Sequence, residues 1–162
     1  MSVLKRIAAV SVVLVAVYAG GASAQDVRQN PTYGTLNLNS GFTPDPHVVN
    51  VQSGGNVDVS KLQAVNNEEC SGFVASAPDV RLNFRHGTLP LIISVASDSD
   101  TTLVINAPNG DWYCDDDGGV NGLNPAIRFD QPADGQYDIW IGTFGNHSNQ
   151  QAQLNISELT SQ

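Results

Sequence analysis

Basic side chains are scarce in this sequence of 162 residues, which has seven Lys and Arg, sixteen Asp and Glu, and a formal net charge of −9. Beyond residue 25 the cations are scattered singly, at Arg28, Lys61, Arg81, Arg85 and Arg128. A nucleic-acid interface needs a cluster of cations that neutralises phosphates. The composition therefore argues against nucleic acid as a partner and favours solubility or cation binding.

Catalytic signatures are also missing, because the chain has no G-x-S-x-G elbow, no H-E-x-x-H helix and no glycine-rich phosphate loop. The three histidines, His47, His86 and His147, are expected at exposed loops or strand ends. A glycosidase pair within residues 115–117 is disfavoured, since glycines rather than an apolar pocket surround these aspartates. A serine-type peptidase or other hydrolase with an unrecognised nucleophile remains the catalytic alternative.

Only the first residues contain a long apolar run. Lys5 and Arg6 precede an apolar stretch from Ile7 to Ala19, and Ala22-Ser23-Ala24 has the small-x-small form of a cleavage site. This pattern predicts a secretory signal peptide over residues 1–24, with an uncleaved membrane anchor as the weaker alternative. We expect an exported protein, periplasmic or secreted, with one domain of 138 residues, a net charge of −11 and no membrane span.

The sequence has only two cysteines, Cys70 and Cys114. In an exported protein, an even cysteine count predicts a disulfide, here closing a loop of about 44 residues. The alternative is a pair of thiols that bind a metal together with His86. That alternative lacks the close ligand spacing of known zinc sites.

Residues 25–46 are polar and interrupted by prolines and glycines, which predicts an extended lead-in with a short strand near residues 35–39. Residues 47–162 form a series of short β-type segments and are expected to make one domain. Between "HVVNVQ" and "NVDVS", the glycines of Ser53-Gly54-Gly55 predict a hairpin turn.

Strict alternation identifies the inward faces of several strands. In "DVRLNF" we expect Val80, Leu82 and Phe84 in the core, with Arg81 and Asn83 in water. In "GQYDIWIGTF", residues 137, 139 and 141 share one face, and residues 138, 140 and 142 share the other. The runs "LPLIISVAS" and "TTLVINA" are typical of central strands. Many short strands without helical periodicity predict an all-β, antiparallel β-sandwich that resembles a jelly roll.

A turn at residues 107–110, Ala-Pro-Asn-Gly, brings two acidic segments together. A four-residue loop pairs Asn106 with Asp111 and Leu103 with Cys114. Its open end then gathers carboxylates and amides that are candidate metal ligands: Asp98, Asp100, Asp115, Asp116, Asp117, Asn121 and Asn124.

Like charges at close range are costly, so a cation would stabilise such a cluster. Calcium prefers carboxylate, amide and carbonyl oxygens, which makes it the candidate cofactor. The alternative is that these side chains cap turns through hydrogen bonds to the backbone. The spacing does not match the twelve-residue helix-loop-helix calcium loop, and we expect an ion here to stiffen loops rather than to catalyse a reaction.

Aromatic side chains are few, at 7% of the residues. Trp112, Tyr113 and Trp140 are a candidate platform for ligand rings such as sugars. Packing in the core is the commoner role of strand aromatics and is the favoured interpretation.

Four segments, "CSGFVASAPDVRLNF", "LPLIISVASDSDTTLVINAPNGDWYCDDDGG", "LNPAIRF" and "GQYDIWIGTF", resemble the bacterial pre-peptidase C-terminal domain family over residues 68–158. The resemblance implies a small jelly-roll-like sandwich that is attached to secreted peptidases, is not itself catalytic, and serves secretion, localisation or substrate binding. It also implies calcium binding in some relatives. Here only about 45 residues precede the module, so no peptidase domain is expected.

Together these features predict an exported, non-catalytic β-sandwich for binding or localisation. A more specific version of this prediction adds that calcium stabilises the domain. The expected partner is a protein or polysaccharide surface. A hydrolase and a structural protein of the envelope are the two alternatives, the latter through pairing of an edge strand.

Overall fold

The computed structural model describes residues 24–66, 68–145 and 147–162. All of the predicted signal peptide except Ala24 lies outside these residues. Within them the chain has no helix long and apolar enough to cross a membrane. The described residues form eleven strands: β1 (Thr35–Asn39), β2 (His47–Ser53), β3 (Val57–Asp58), β4 (Phe73–Val74), β5 (Val80–Arg85), β6 (Leu91–Ala96), β7 (Thr101–Asn106), β8 (Trp112–Asp115), β9 (Ala126–Phe129), β10 (Gly135–Thr143) and β11 (Gln150–Ser157).

The strands make two sheets, which confirms the predicted all-β sandwich. Sheet A has seven strands in the order β1-β5-β10-β4-β3, with β7 also paired to β10 and β8 paired to β7. Sheet B has four strands in the order β2-β11-β6-β9. The named pairs are antiparallel except β1 with β5, which run parallel. A parallel pair needs a long crossover, and the chain from β2 to β4 supplies it.

The main core lies between the sheets and contains the side chains that alternation placed inward. Val80, Leu82 and Phe84 are buried there, as are residues 137, 139 and 141 of β10. Arg81 differs from the prediction, since it lies on the outer face of sheet A but is largely covered. Its Nε donates to Oδ1 of Asp138 at 2.7 Å, and the Asp138 side chain is only 2% exposed. A buried carboxylate needs such a partner, and alternation does not reveal it.

The predicted hairpin at Ser53-Gly54-Gly55 is wrong. Strand β2 pairs with β11 in sheet B, whereas β3 pairs with β4 in sheet A. The two glycines carry the chain from one sheet to the other, and the Gly54 N–H donates to the Ile141 carbonyl at 2.9 Å. Gly55 has φ +155°, and a Cβ built on it would lie 2.1 Å from the Val74 carbonyl carbon. Glycine is required here for close backbone approach, not for a two-strand turn.

We expect Gly55→Ala to lower the free energy of unfolding by about 2–3 kcal/mol, because the backbone of Val74 must move away from the new methyl group. Urea unfolding measures the change. Gly34→Ala is the matched control, since Gly34 also has a positive φ, +93°, but nothing lies within 4 Å of its Cβ position. Equal losses in the two variants would show that the close approach to Val74 has no cost of its own.

A second apolar cluster covers the outer face of sheet A and includes the predicted disulfide. Cys70 and Cys114 are joined, their Cα atoms are 5.2 Å apart, and the described residues contain no free cysteine. The alternative of metal-binding thiols is therefore wrong. The disulfide joins the segment before β4 to β8, beside the buried side chains of Trp140 and Val104.

The segment predicted as a lead-in, residues 25–46, is seated on the sandwich. Its strand at residues 35–39 is confirmed as β1, which pairs along β5 from Thr35 opposite Arg81. Before β1, the Asp26 N–H donates to the Ser76 carbonyl at 2.8 Å. Arg81 also donates to the Val27 carbonyl at 2.6 Å, so the same guanidinium holds both Asp138 and this segment.

Candidate functional site

The turn between β7 and β8 is present, but the predicted register is wrong by one residue. Val104 lies opposite Cys114, and Leu103 lies opposite Asp115. The loop has three residues, since Ala107 N–H donates to the Asp111 carbonyl at 2.9 Å and Gly110 takes φ +86°. A type I turn followed by a left-handed glycine is a common three-residue hairpin. The shift places Cys114 on the outer face with Val104, where Cys70 can reach it.

Part of the predicted acidic cluster comes together. Partial burial, followed by repulsion from Asp117 and Asp116, raises the pKa of the Asp100 carboxyl. Burial also raises the pKa of Asp115, and repulsion from Asp116 and Glu68 adds to it. The hairpin therefore brings the segment before β7 close to the aspartates that end β8, as the turn at residues 107–110 predicted.

Asp115 and Asp116 are engaged in hydrogen bonds with the protein. Oδ2 of Asp115 accepts the N–H groups of Gly118 and Ala126, each at 2.8 Å. Oδ2 of Asp116 accepts the Ser71 hydroxyl at 2.8 Å. These contacts are loop-capping bonds, the alternative that the sequence left open beside a metal.

The remaining candidate ligands make other contacts. Asn124 is 1% exposed, and its side chain joins two loops: Oδ1 accepts the Thr101 hydroxyl at 2.7 Å, and Nδ2 donates to the Ser97 carbonyl at 2.8 Å. Asp98 and Asn121 line a groove instead. Across the ranges given above, no group of three or more His, Cys, Asp or Glu side chains is arranged to hold a metal ion. Calcium binding stays a prediction.

The three aromatic residues do not share a surface. Trp140 is fully buried in the outer cluster, with its ring centroid 5.4 Å from that of Trp112. Tyr113 lies on the opposite face of β8 and packs against Phe129 at 4.9 Å, beside the main core. Neighbouring residues of a strand point to opposite faces, which separates Trp112 from Tyr113. The structure therefore places Tyr113 on a different face from Trp112 and Trp140, and the ring-to-ring contacts of all three are packing contacts.

Two of the three histidines contact the backbone through their rings. A ring nitrogen of His86 lies 3.1 Å from the Gly87 carbonyl, and one of His147 lies 3.4 Å from the Gly55 carbonyl. The His147 ring also packs against Phe73 at an angle of 42°, with ring centroids 3.8 Å apart. His47 begins β2, opposite Ile156 of β11. These contacts favour structural roles over that of a general base beside a nucleophile.

Sequence reasoning missed a polar groove on the outer face of sheet B. Its floor is formed by amide side chains of the two neighbouring strands β2 and β11, and its wall by the loops after β6 and before β9. We call it the amide groove; it has a volume of about 440 Å³ and is lined chiefly by Asn50, Gln151, Gln153, Ser97, Asp98 and Asn121. The only available signal was the outward alternation of amides in "VVNVQ" and "QAQLN".

The wall of the amide groove is held firmly by hydrogen bonds. The Ser97 hydroxyl donates to the Gln151 carbonyl at 2.8 Å, which fixes the loop after β6 on β11. The buried Asn124 amide joins that loop to residues 121–124, and the Thr101 N–H donates to the Leu123 carbonyl at 3.1 Å. The groove is therefore preformed rather than assembled by a ligand.

One buried carboxyl lies away from these features. Asp79, just before β5, is 3% exposed, and its Oδ2 accepts the Ile141 N–H at 2.7 Å. Burial raises the pKa of Asp79 to about 7, and the bond from Ile141 only partly offsets this effect. The carboxyl lies at the junction of β5, β10 and the lead-in.

No protein-family model matches the chain, and no curated protein matches it. Among solved structures, the chain is similar to the crystal structure of PliG from Aeromonas hydrophila, a periplasmic lysozyme inhibitor of g-type lysozyme. The sequences are 10% identical, the match covers 76% of this chain and 96% of that chain, and the TM-score is 0.39. At these values the similarity carries no conclusion about function. The resemblance to the pre-peptidase C-terminal domain family stays a prediction.

Proposed function

We propose that this protein is an exported, non-catalytic β-sandwich that binds a partner or a surface. The Cys70–Cys114 disulfide supports export, because disulfides persist in oxidising compartments such as the bacterial periplasm or the extracellular space. The predicted signal peptide is consistent with the same route. The acidic composition supports a partner other than nucleic acid.

The observation that carries the proposal is the amide groove. It is preformed, it lies on the accessible outer face of sheet B, and its lining is rich in uncharged hydrogen-bonding groups. Catalysis would require titratable groups with matched pKa values near a reacting atom. Among the described residues that line the groove, Asp98 is the only titratable side chain.

A hydrolase is the alternative that must be tested first. We expect the purified mature protein to release no product from generic peptide or ester substrates and to take no label from a fluorophosphonate probe. Labelling of a single serine that is lost when His47, His86 or His147 is replaced would contradict the proposal. A serine peptidase labelled in the same tube is the positive control.

At the β2 edge of sheet B, the structure gives less support to the envelope structural protein. Strand β2 is an edge strand of sheet B, where a neighbouring chain would be expected to pair. The hydroxyl of Tyr33 accepts the N–H of Gln52 in β2 at 2.8 Å. The lead-in therefore occupies a backbone donor that an added strand would use. Concentration-dependent association in solution would favour the structural alternative.

The finer proposal is that calcium stabilises the acidic end of the β7–β8 hairpin. Saturating calcium should raise the free energy of unfolding by about 2–3 kcal/mol, if the free ion is about 100-fold above its dissociation constant. Thermal unfolding with calcium and with a chelator measures this. Asp117→Asn should abolish the difference, whereas Asp130→Asn, a change of an exposed aspartate after β9, should leave it intact. Identical melting curves with calcium and with chelator would show that calcium does not stabilise the protein.

A further inference from the structure

The amide groove has the chemistry of a site for hydroxyl groups. Each primary amide offers two N–H donors and a carbonyl acceptor, and a hydroxyl of a ligand is itself both donor and acceptor. The floor places Asn50 of β2 and Gln153 of β11 directly opposite each other, with Gln151 one pleat along. Asp98 and Asn121 add a carboxylate and a further amide along the wall. The Ser97 hydroxyl holds the wall in place, since it donates its hydrogen to the Gln151 carbonyl and accepts the Ser99 N–H.

The floor amides keep hydrogen-bonding capacity for a ligand. Gln153 Nε2 donates to Asn50 Oδ1 at 3.1 Å, which leaves Gln153 Oε1 and Asn50 Nδ2 directed away from that bond. Gln151 contributes its carbonyl to the Ser97 bond through the backbone, so its side-chain amide is not used there. The bond between Asn50 and Gln153 orients these two amides, so they lose less freedom on binding than unpaired side chains would.

Charge decides which polyhydroxylated ligand fits. The described lining residues contain no Lys, Arg or His to pair with phosphate, sulfate or uronate, and Asp98 would repel these anions. The formal net charge of −9 also repels anions, over longer distances. Anionic ligands are therefore disfavoured, and an uncharged polyhydroxylated ligand is the class that we propose below.

The lining also favours a small polar ligand over a large apolar protein interface. Protein interfaces concentrate binding energy in buried Trp, Tyr and Arg anchors, and the described residues of the groove include none of these. Its apolar members are small or recessed, namely Val95, Ala96 and Ala152. The volume of about 440 Å³ lies within the range of about 300–1,000 Å³ that small-ligand sites occupy.

We propose that the amide groove on the outer face of sheet B binds a neutral saccharide, either free or as a segment of a polysaccharide. This inference rests on the proposed binding function and specifies its ligand class. Asn50, Gln151 and Gln153 hold successive hydroxyl groups across the strands, and Asp98 accepts a pair of hydroxyl hydrogens at the wall.

Titration with cellotetraose and with triacetylchitotriose, followed by side-chain amide resonances in NMR spectra, tests this proposal. At least one saccharide should shift the resonances of Asn50, Gln151, Gln153 and Asn121 together. Gln153→Ala should weaken binding about tenfold, since it removes both a ligand bond and the partner that orients Asn50. Saccharide binding by Asn121→Ala, measured in the same way, tests the contribution of a loop outside the sheet.

Asn83→Ala is the matched control on the opposite sheet. Asn83 Nδ2 donates to Asn37 Oδ1 at 2.9 Å, so β1 and β5 present an exposed amide pair like that of β2 and β11, but outside the groove. We expect no change in saccharide binding for this variant. Shifts that are absent, or equal at the Asn83 and Gln153 positions, would overturn the proposal.

A gelatin peptide titrated in parallel separates the saccharide proposal from the proposed function. If the peptide moves the groove resonances and neither saccharide does, the ligand class is wrong while a binding function stands. If a saccharide binds in the groove and is cleaved during the titration, the ligand class stands and the non-catalytic function is wrong.

Discussion

Replacement of both disulfide cysteines, Cys70→Ala together with Cys114→Ala, should lower the free energy of unfolding by about 4 kcal/mol. The bond closes a loop with a sequence separation of 44 residues, and in the chain-entropy model its loss frees the unfolded chain by about this amount. For a domain of this size, the melting temperature should fall on the order of 15 °C. The double substitution also removes packing from the outer cluster, because both cysteines are buried beside Trp140.

Urea unfolding of three samples separates the cross-link from the packing of the sulfur atoms. The oxidised protein, the reduced protein and the double alanine variant should fall in that order of stability. Reduction removes the bond but keeps nearly the same atoms, so the reduced protein should show most of the loss. If the oxidised and reduced proteins unfold at the same urea concentration, the disulfide does not stabilise the fold.

Asp79→Asn should raise the free energy of unfolding at about pH 8 by roughly 4 kcal/mol. Burial raises the pKa of Asp79 to about 7 in the folded state, against 3.8 for the ordinary carboxyl, and each unit corresponds to about 1.36 kcal/mol. The folded protein holds this proton more tightly than the unfolded chain does. Stability contributed by Asp79 is therefore full below about pH 4 and is lost as the pH rises to about 7.

Asparagine retains an oxygen that accepts the Ile141 N–H, but it carries no charge at any of these pH values. The wild-type protein and Asp79→Asn should thus be equally stable near pH 4 and should diverge toward pH 8. Burial also raises the pKa values of Asp100 and Asp115. Both proteins should therefore still lose a smaller amount of stability as the pH rises. Urea unfolding across this range measures the divergence, with the exposed Asp130→Asn as control. Parallel curves would contradict a buried, protonated Asp79.

Period-two alternation predicted the faces of β5 and β10 because it follows from the geometry of a single strand. The burial of Val80, Leu82 and Phe84 could be predicted without knowing which strands lie beside β5, and all three are buried. The turn at residues 107–110 was also recognised from local chemistry. Its loop length was not, because Pro-Asn-Gly fits both a three-residue and a four-residue connection, and a difference of one residue shifts every pair.

Features that depend on distant partners were not predictable in this way. Gly54-Gly55 has the composition of a turn, yet its role is set by Val74 and Ile141, which belong to other strands. The amide groove exists because Asn50 meets Gln153, 103 residues away in the chain. Outward amides on a single strand are typical solvent-facing residues, and only the pairing of β2 with β11 makes them a site.

Cosedimentation with insoluble cellulose, chitin and gelatin beads, followed by assay of the supernatant for soluble fragments, tests the proposed binding function most directly. We expect at least one polymer to retain the protein, Gln153→Ala to reduce retention, Asn83→Ala to leave it unchanged, and no fragments to appear. Retention by none of the three polymers, or fragments that accumulate with time, would contradict the proposed function.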